Sequence, residues 1–113
     1  MNYQYYSNGK YQYKPYDIIK GSSIRYASNY CEYLLDGEIY RENGPAIIYN
    51  DGSERKEWVI YNRRHKEDGP AVIWSGGGKE YWLDGNHYPK IKNDVQWLIE
   101  VQRVKRKQKE ENI

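Results

Sequence analysis

The chain has 113 residues, a net charge of +2, fourteen Tyr and four Trp but no Phe, and one cysteine. That length gives a single domain with a modest core and much wet surface; the lone Cys31 excludes an internal disulfide and suits a reducing compartment. No apolar run approaches the roughly 18 residues of a spanning helix and no signal peptide opens the chain, so a soluble, cytoplasmic protein is expected.

Residues 1–20 are rich in tyrosine: Tyr3, Tyr5, Tyr6, Tyr11, Tyr13 and Tyr16. Asn8-Gly9 between Tyr-rich runs is a hairpin signal, because both residues tolerate positive φ. Tyr11-Gln12-Tyr13 alternates as a strand does, and Pro15 ends that strand or places it on an edge. The segment reads as a hairpin that caps one end of a sheet, with a stacking surface for nucleic-acid bases as the alternative.

From residue 21 to 88 the chain repeats itself. Glu42-Asn43-Gly44-Pro45-Ala46-Ile47-Ile48-Tyr49 returns 25 residues later as Glu67-Asp68-Gly69-Pro70-Ala71-Val72-Ile73-Trp74. Gly21-Ser22-Ser23-Ile24-Arg25-Tyr26 lines up 23 residues before Gly44–Tyr49 and reads as a degenerate first unit. A second run, Glu32–Gly37, corresponds to Glu57–Asn62 and then to Glu80–Gly85. Each unit therefore reads as strand, turn, polar stretch, Gly-Pro turn and second strand. Asp36-Gly37, Asp51-Gly52, Gly76-Gly77-Gly78 and Asp84-Gly85 supply positive φ, and Pro45 and Pro70 open strands where a missing N–H costs least. Ala46–Tyr49 and Trp58–Tyr61 are large on both faces, which predicts something packed on each side: the C-terminal helix on one, and a second layer, a subunit or a partner on the other.

Residues 93–113 form that helix. Asn93 is a candidate N-cap with Gln96 three residues on, and Trp97, Leu98, Val101 and Val104, widened by Val95 and Ile99, form an apolar side predicted to dock on the sheet. The helix is expected from 94 to about 108, ending in Arg103, Lys105, Arg106, Lys107 and Lys109. The fold class is mainly β (α+β), a domain of β-hairpin repeats over 1–92 followed by one amphipathic helix.

The run Tyr61-Asn62-Arg63-Arg64-His65-Lys66-Glu67-Asp68-Gly69-Pro70-Ala71-Val72-Ile73-Trp74, with its weaker copy Asp36–Ala46, resembles a degenerate MORN (membrane occupation and recognition nexus) repeat. It is more similar to the Asn-Gly…His-Arg-Glu-Asp-Gly-Pro-Ala units found in tandem in small phage, giant-virus and bacterial proteins. The resemblance covers about residues 21 to 88. It implies successive β-hairpins forming a single twisted antiparallel sheet, an architecture used for binding rather than catalysis. The chain departs from it twice. The ordinary MORN glycine pattern is absent, so lipid association does not carry over, and the unit's histidine survives only as His65, with Tyr40 in its place one unit earlier.

The residues offer little for catalysis. His65 and His87 with one cysteine make no zinc site, and His65 is expected to bond a turn backbone. Gly76-Gly77-Gly78 lacks the lysine and helix of a phosphate loop, and no cofactor is expected. Glu32, Glu57 and Glu80, like Glu42 and Glu67, follow the repeat period and read as a structural row beside Arg41, Lys56, Lys66 and Lys79. The chain is therefore read as a non-enzymatic protein-binding module, plausible for a small viral or phage protein acting on a host protein in the host cytoplasm. Tyr3, Tyr5, Tyr6, Tyr11, Tyr13, Trp58, Trp74 and Trp82 are its candidate contact residues. Nucleic-acid binding through Arg103, Lys105, Arg106, Lys107 and Lys109 is the second reading, and self-association through open sheet edges the third.

Overall fold

The structure is a computed structural model. It describes residues 20–50, 52 and 54–111 in full and, before them, only the backbone of Gln4–Tyr5 (β1) and Gln12–Lys14 (β2). β1 and β2 pair antiparallel, as a capping hairpin requires, and β2 continues onto β3 (Ser22–Tyr26). Tyr3, Tyr6, Tyr11, Asn8-Gly9 and Pro15 lie outside the described residues.

The remaining strands follow in chain order: β4 (Tyr30–Leu35), β5 (Glu38–Ile39), β6 (Ile47–Tyr49), β7 (Lys56–Glu57), β8 (Val59–Ile60), β9 (Arg63–Arg64), β10 (Val72–Ile73), β11 (Lys79–Glu80), β12 (Trp82–Leu83) and β13 (Asn86–His87). The main sheet is antiparallel, in the order β1-β2-β3-β4-β6-β7-β10-β11, with β5 joined to β4. The mainly-β fold of successive hairpins with one C-terminal helix, Asp94–Glu111 (α1), is thus present. Among the described residues no helix is long and apolar enough to cross a membrane.

One feature of the units is absent from their letters. Each long strand changes pairing partners at Tyr33, Trp58 or Tyr81. Before that residue it lies in the main sheet; beyond it the chain enters a hairpin, and the second and third hairpins are the separate ladders β8–β9 and β12–β13. The tips are Asp36-Gly37, Tyr61-Asn62 and Asp84-Gly85, each with both residues at positive φ, the signature of a two-residue hairpin turn that matches strand twist. Tyr61 adopts φ 45° although it is aromatic, and its ring lies 4.5 Å from that of Tyr40. Neighbouring hairpins are stitched together by main chain: Asn62 N–H donates to Ile39 O, Arg41 N–H to Val59 O, Gly85 N–H to Arg64 O and Lys66 N–H to Trp82 O. The Asn62 side chain returns the bond, accepting Ile39 N–H at 2.8 Å.

The pairing register corrects the alignment of the first unit. Opposite Glu32, Glu57 and Glu80 stand Arg25, Ile47 and Val72. Ile24 therefore corresponds to Ala46 and Ala71, one residue away from the match suggested by Gly21, Ile24 and Tyr26. Burial agrees, since Ile24, Ala46 and Ala71 are all core residues. The letters mislead because a one-residue slip exchanges the faces of a strand, and the turns after β3, β6 and β10 differ in length. Gly21 is also unlike Gly44 and Gly69 in its backbone. Its φ is +89°, and a Cβ there would lie 2.0 Å from Asp36 Oδ1.

The helix is capped as expected at Asn93, whose Oδ1 accepts Gln96 N–H at 2.9 Å; Gln96 in turn accepts Lys92 N–H at 2.8 Å. Its docking face is narrower than the sequence predicts. Trp97 and Val101 are buried, with Val104 partly so, against Tyr81, Leu83, Tyr88 and Ile91. Val95, Leu98 and Ile99 are exposed. The apolar packing of the helix is on the last unit, and the preceding unit meets it through polar contacts of Trp97 and Lys105, so residues at i, i+4 and i+7 suffice and the neighbouring apolar residues turn outward. The helix also runs beyond 108, to Glu111.

Tyr81 is fixed at this joint, donating its hydroxyl to Asp94 Oδ1 at 2.7 Å. Burial first, then the bond and the charge of Asp94, push its pKa up to about 12. Folding thus favours the neutral phenol. The contribution to stability is complete below the ordinary tyrosine value near 10 and is lost as pH rises from there through about 12. Spectrophotometric titration of the folded chain should show a tyrosine ionising near 12, and Asp94→Asn should bring it down.

Candidate interaction surface

The sheet has two different faces. Strand alternation puts Glu32, Glu57 and Glu80 on one and their neighbours Tyr33, Trp58 and Tyr81 on the other.

On the second face an aromatic ring lies beneath a cation in each of two units. The Arg41 guanidinium sits 3.8 Å from the Tyr33 ring centroid and Lys66 Nζ 4.0 Å from that of Trp58. Arg41 Nη1 also donates to Pro45 O at 3.2 Å. Each cation also lies close to the glycine of the Gly-Pro-Ala motif. A Cβ on Gly44 would stand 3.0 Å from Arg41 Cζ, and one on Gly69 would stand 3.5 Å from Lys66 Nζ. The approach is tight at Gly44 and an ordinary contact at Gly69, and neither glycine has a left-handed backbone. Arg41, Gly44, Trp58, His65 and Lys66 help line a hollow of about 460 Å³ between successive loops. His65 does bond a turn backbone, accepting Asp84 N–H at Nδ1 at 2.9 Å. At the end of the array Trp97 replaces the cation, with its ring 5.4 Å from Tyr81 and 5.1 Å from Tyr88.

The first face carries two rows. The inner row is the carboxylates. Glu32 and Glu57 are buried, Glu32 accepting Arg25 Nε–H at 2.8 Å and Glu57 accepting Arg64 Nε–H at 2.7 Å. Arg55 Nε lies 3.0 Å from the other oxygen of Glu57, though its N–H is not aimed well enough for a hydrogen bond. The partners expected from the sequence, Lys56 and Lys79, adjoin Glu57 and Glu80 along their strands and so belong to the opposite face. Sequence reasoning missed Arg25, Arg55 and Arg64; a signal existed in Arg55-Lys56-Glu57, where period-two alternation sets Arg55 and Glu57 on one side.

Glu80 is the exception in this row. Its oxygens accept the indole N–H groups of Trp74 at 2.7 Å and Trp82 at 3.0 Å. Its partial burial alone would raise the carboxyl pKa, but those two bonds, with Arg64 and His87 nearby, hold it below the usual carboxylate range.

The outer row runs from Tyr30 in β4 and Tyr49 in β6 to Arg55, Trp74 and Gly78, which directly flank β7, β10 and β11. Tyr30 and Tyr49 are direct partners with rings 5.7 Å apart. The Arg55 guanidinium lies 4.1 Å from the Tyr49 centroid and 4.7 Å from that of Trp74. Alongside, Arg64 lies 4.8 Å from the Trp82 ring, which stacks on His87 at 4.6 Å. Trp74 remains 38% exposed.

The structure thus brings Trp74 and Trp82 together through Glu80, beside the edge strand β11, and places Trp58 on the far side of the sheet. Tyr5 and Tyr13 belong to β1 and β2 at the other end of the strand order. The basic set is divided as well. Lys105 is bonded to Glu67, which keeps that carboxyl low, and Arg103 lies 3.4 Å from Glu100. Arg106, Lys107 and Lys109 remain exposed. Cys31 is half-buried, and burial pushes its thiol pKa up, the opposite of a reactive thiolate. Among the described residues no group of three His, Cys, Asp or Glu is placed to hold a metal ion. Comparison with protein-family models, with curated proteins and with solved structures finds no match to this chain.

Proposed function

We propose that the chain is a non-enzymatic module that binds another protein through the aromatic strip at the C-terminal end of the array. The observation that carries this reading is the joining of Trp74 and Trp82 by Glu80 next to β11, the edge strand of the sheet among the described residues. Exposed tryptophan beside arginine is the composition of interface hot spots, and an edge strand offers main-chain donors and acceptors to an incoming segment. The periodic carboxylates support a binding role over acid–base catalysis, because Glu32 and Glu57 are engaged by arginines of the fold itself. The resemblance of the units to tandem repeats of small phage and giant-virus proteins extends the proposal to a host protein as partner, with interference in a defence system as one form.

A lysate pull-down with the whole chain tests this. A stoichiometric protein partner is expected, and Trp74→Ala should reduce its recovery at least about tenfold, the loss typical of a hot-spot truncation. Recovery of no such partner, or equal recovery by Trp74→Ala, would count against the reading.

A further inference from the structure

We infer that the β11 edge receives an arginine side chain from an extended segment of the partner protein, its guanidinium lying over Trp74 and against the Glu80 carboxylate. The inference rests on the binding reading above and specifies its chemistry.

The template lies one unit earlier in the same molecule. There Tyr49 is the aromatic floor, Arg55 the cation and Glu57 the carboxylate, with the guanidinium 4.1 Å from the Tyr49 centroid and Nε 3.0 Å from Glu57. The register carries these three places forward to Trp74, Gly78 and Glu80. The floor and the carboxylate are present, and glycine stands where Arg55 stood. The second cation of the template changes too. Arg64, bonded to Glu57, corresponds to His87, whose ring is stacked on Trp82 at 17°. Glu80 is therefore tied by two neutral indole donors and keeps its negative charge.

Geometry determines how a cation would arrive. Trp74 leans across β11, where a Cβ on Gly78 would meet its Cδ1 at only 3.5 Å. In the template the strand following Arg55 is β10, which delivers Trp74 to the place beside it. A partner strand paired with β11 delivers its own residue beside Gly78, and a long side chain there crosses the bare glycine to reach the indole. Arginine suits this better than lysine: its planar guanidinium stacks on a ring while donating in-plane hydrogen bonds to a carboxylate. Among the described residues, Arg55 and Arg64 lie over rings on this face.

The test uses the whole chain and an N-acetylated, C-amidated hexapeptide of threonine and valine with one central arginine. Binding is followed through the indole N–H resonances. The arginine peptide should shift those of Trp74 and Trp82 and leave those of Trp58 and Trp97. Replacing the arginine by lysine should weaken binding about fivefold or more, and by glutamine should abolish it. Gly78→Arg, which fills the place from within at a position without positive φ, should abolish peptide binding while the unfolding midpoint stays or rises. Glu80→Gln should weaken it about tenfold. The inference is overturned if the arginine peptide leaves both indoles unshifted, or if Gly78→Arg binds it as tightly as the parent chain. Capture of a lysate partner equally by the parent and by Gly78→Arg would also overturn it, yet leave the binding-module reading standing.

Discussion

Trp97→Ala should destabilise the chain by about 3–5 kcal/mol, the range for removing a fully buried large aromatic. Small domains have total stabilities of about 5–15 kcal/mol, so this one change consumes a large share. Trp97 is 0% exposed and does two things at once. Its ring joins Tyr81 and Tyr88 to the helix, and its Nε1–H donates to Lys66 O at 2.9 Å, tying the helix to the loop of the preceding unit. Trp97→Phe separates the two. It keeps most of the ring contact but leaves the Lys66 carbonyl unpaired, and should cost about 1–2 kcal/mol. Urea denaturation followed by far-ultraviolet dichroism gives both numbers. A loss under about 1 kcal/mol for Trp97→Ala would show that the helix is not the cover of the array's end.

The second large effect is expected at Glu57. Glu57→Ala removes the carboxylate that faces both Arg55 and Arg64 and leaves two guanidinium groups with each other. Removing one partner of a buried pair typically costs about 3–5 kcal/mol. Here the arginine side chains are 23% and 35% exposed, so water repays part of the loss and about 2 kcal/mol is expected. The consequence should spread along the row, because Arg55 also lies between Tyr49 and Trp74. A double-mutant cycle with Arg64→Met should give a coupling of about 1 kcal/mol or more. Additive losses would mean that Glu57 acts through packing alone.

What the sequence revealed was local chemistry with a period. The Gly-Pro-Ala turns, the Asp-Gly tips and the Asn93 cap are each determined by one or two residues, and they lie where the letters put them. Three things were hidden, each for a physical reason. The change of pairing partners at Tyr33, Trp58 and Tyr81 depends on the neighbouring unit: the aromatic residue after each periodic glutamate marks the place, but not the partner. The one-residue slip of the first unit was hidden because Gly21, Ile24 and Tyr26 match by type while the ladder is set by the turn that follows β3. The helix rotation was hidden because Leu98 is as apolar as Val101, and only the small area of the last unit decides which is covered. At the candidate surface Trp74 and Trp82 were legible as aromatic residues. Their union through Glu80 was not, since it needs Trp74 to reach from β10 across to β11.

The edge strand also governs how the protein meets copies of itself. Lys79 and Glu80 are on opposite faces, and any twofold antiparallel pairing centred on either residue sets like charge against like: Lys79 facing Lys79 of the second copy, or Glu80 facing Glu80. Like charges directly opposite destabilise a ladder, so these twofold registers are disfavoured for a dimer joined edge to edge at β11. The carboxylate that would accept a foreign arginine is the group that turns away a twin. Light scattering at rising concentration should detect no assembly through this end.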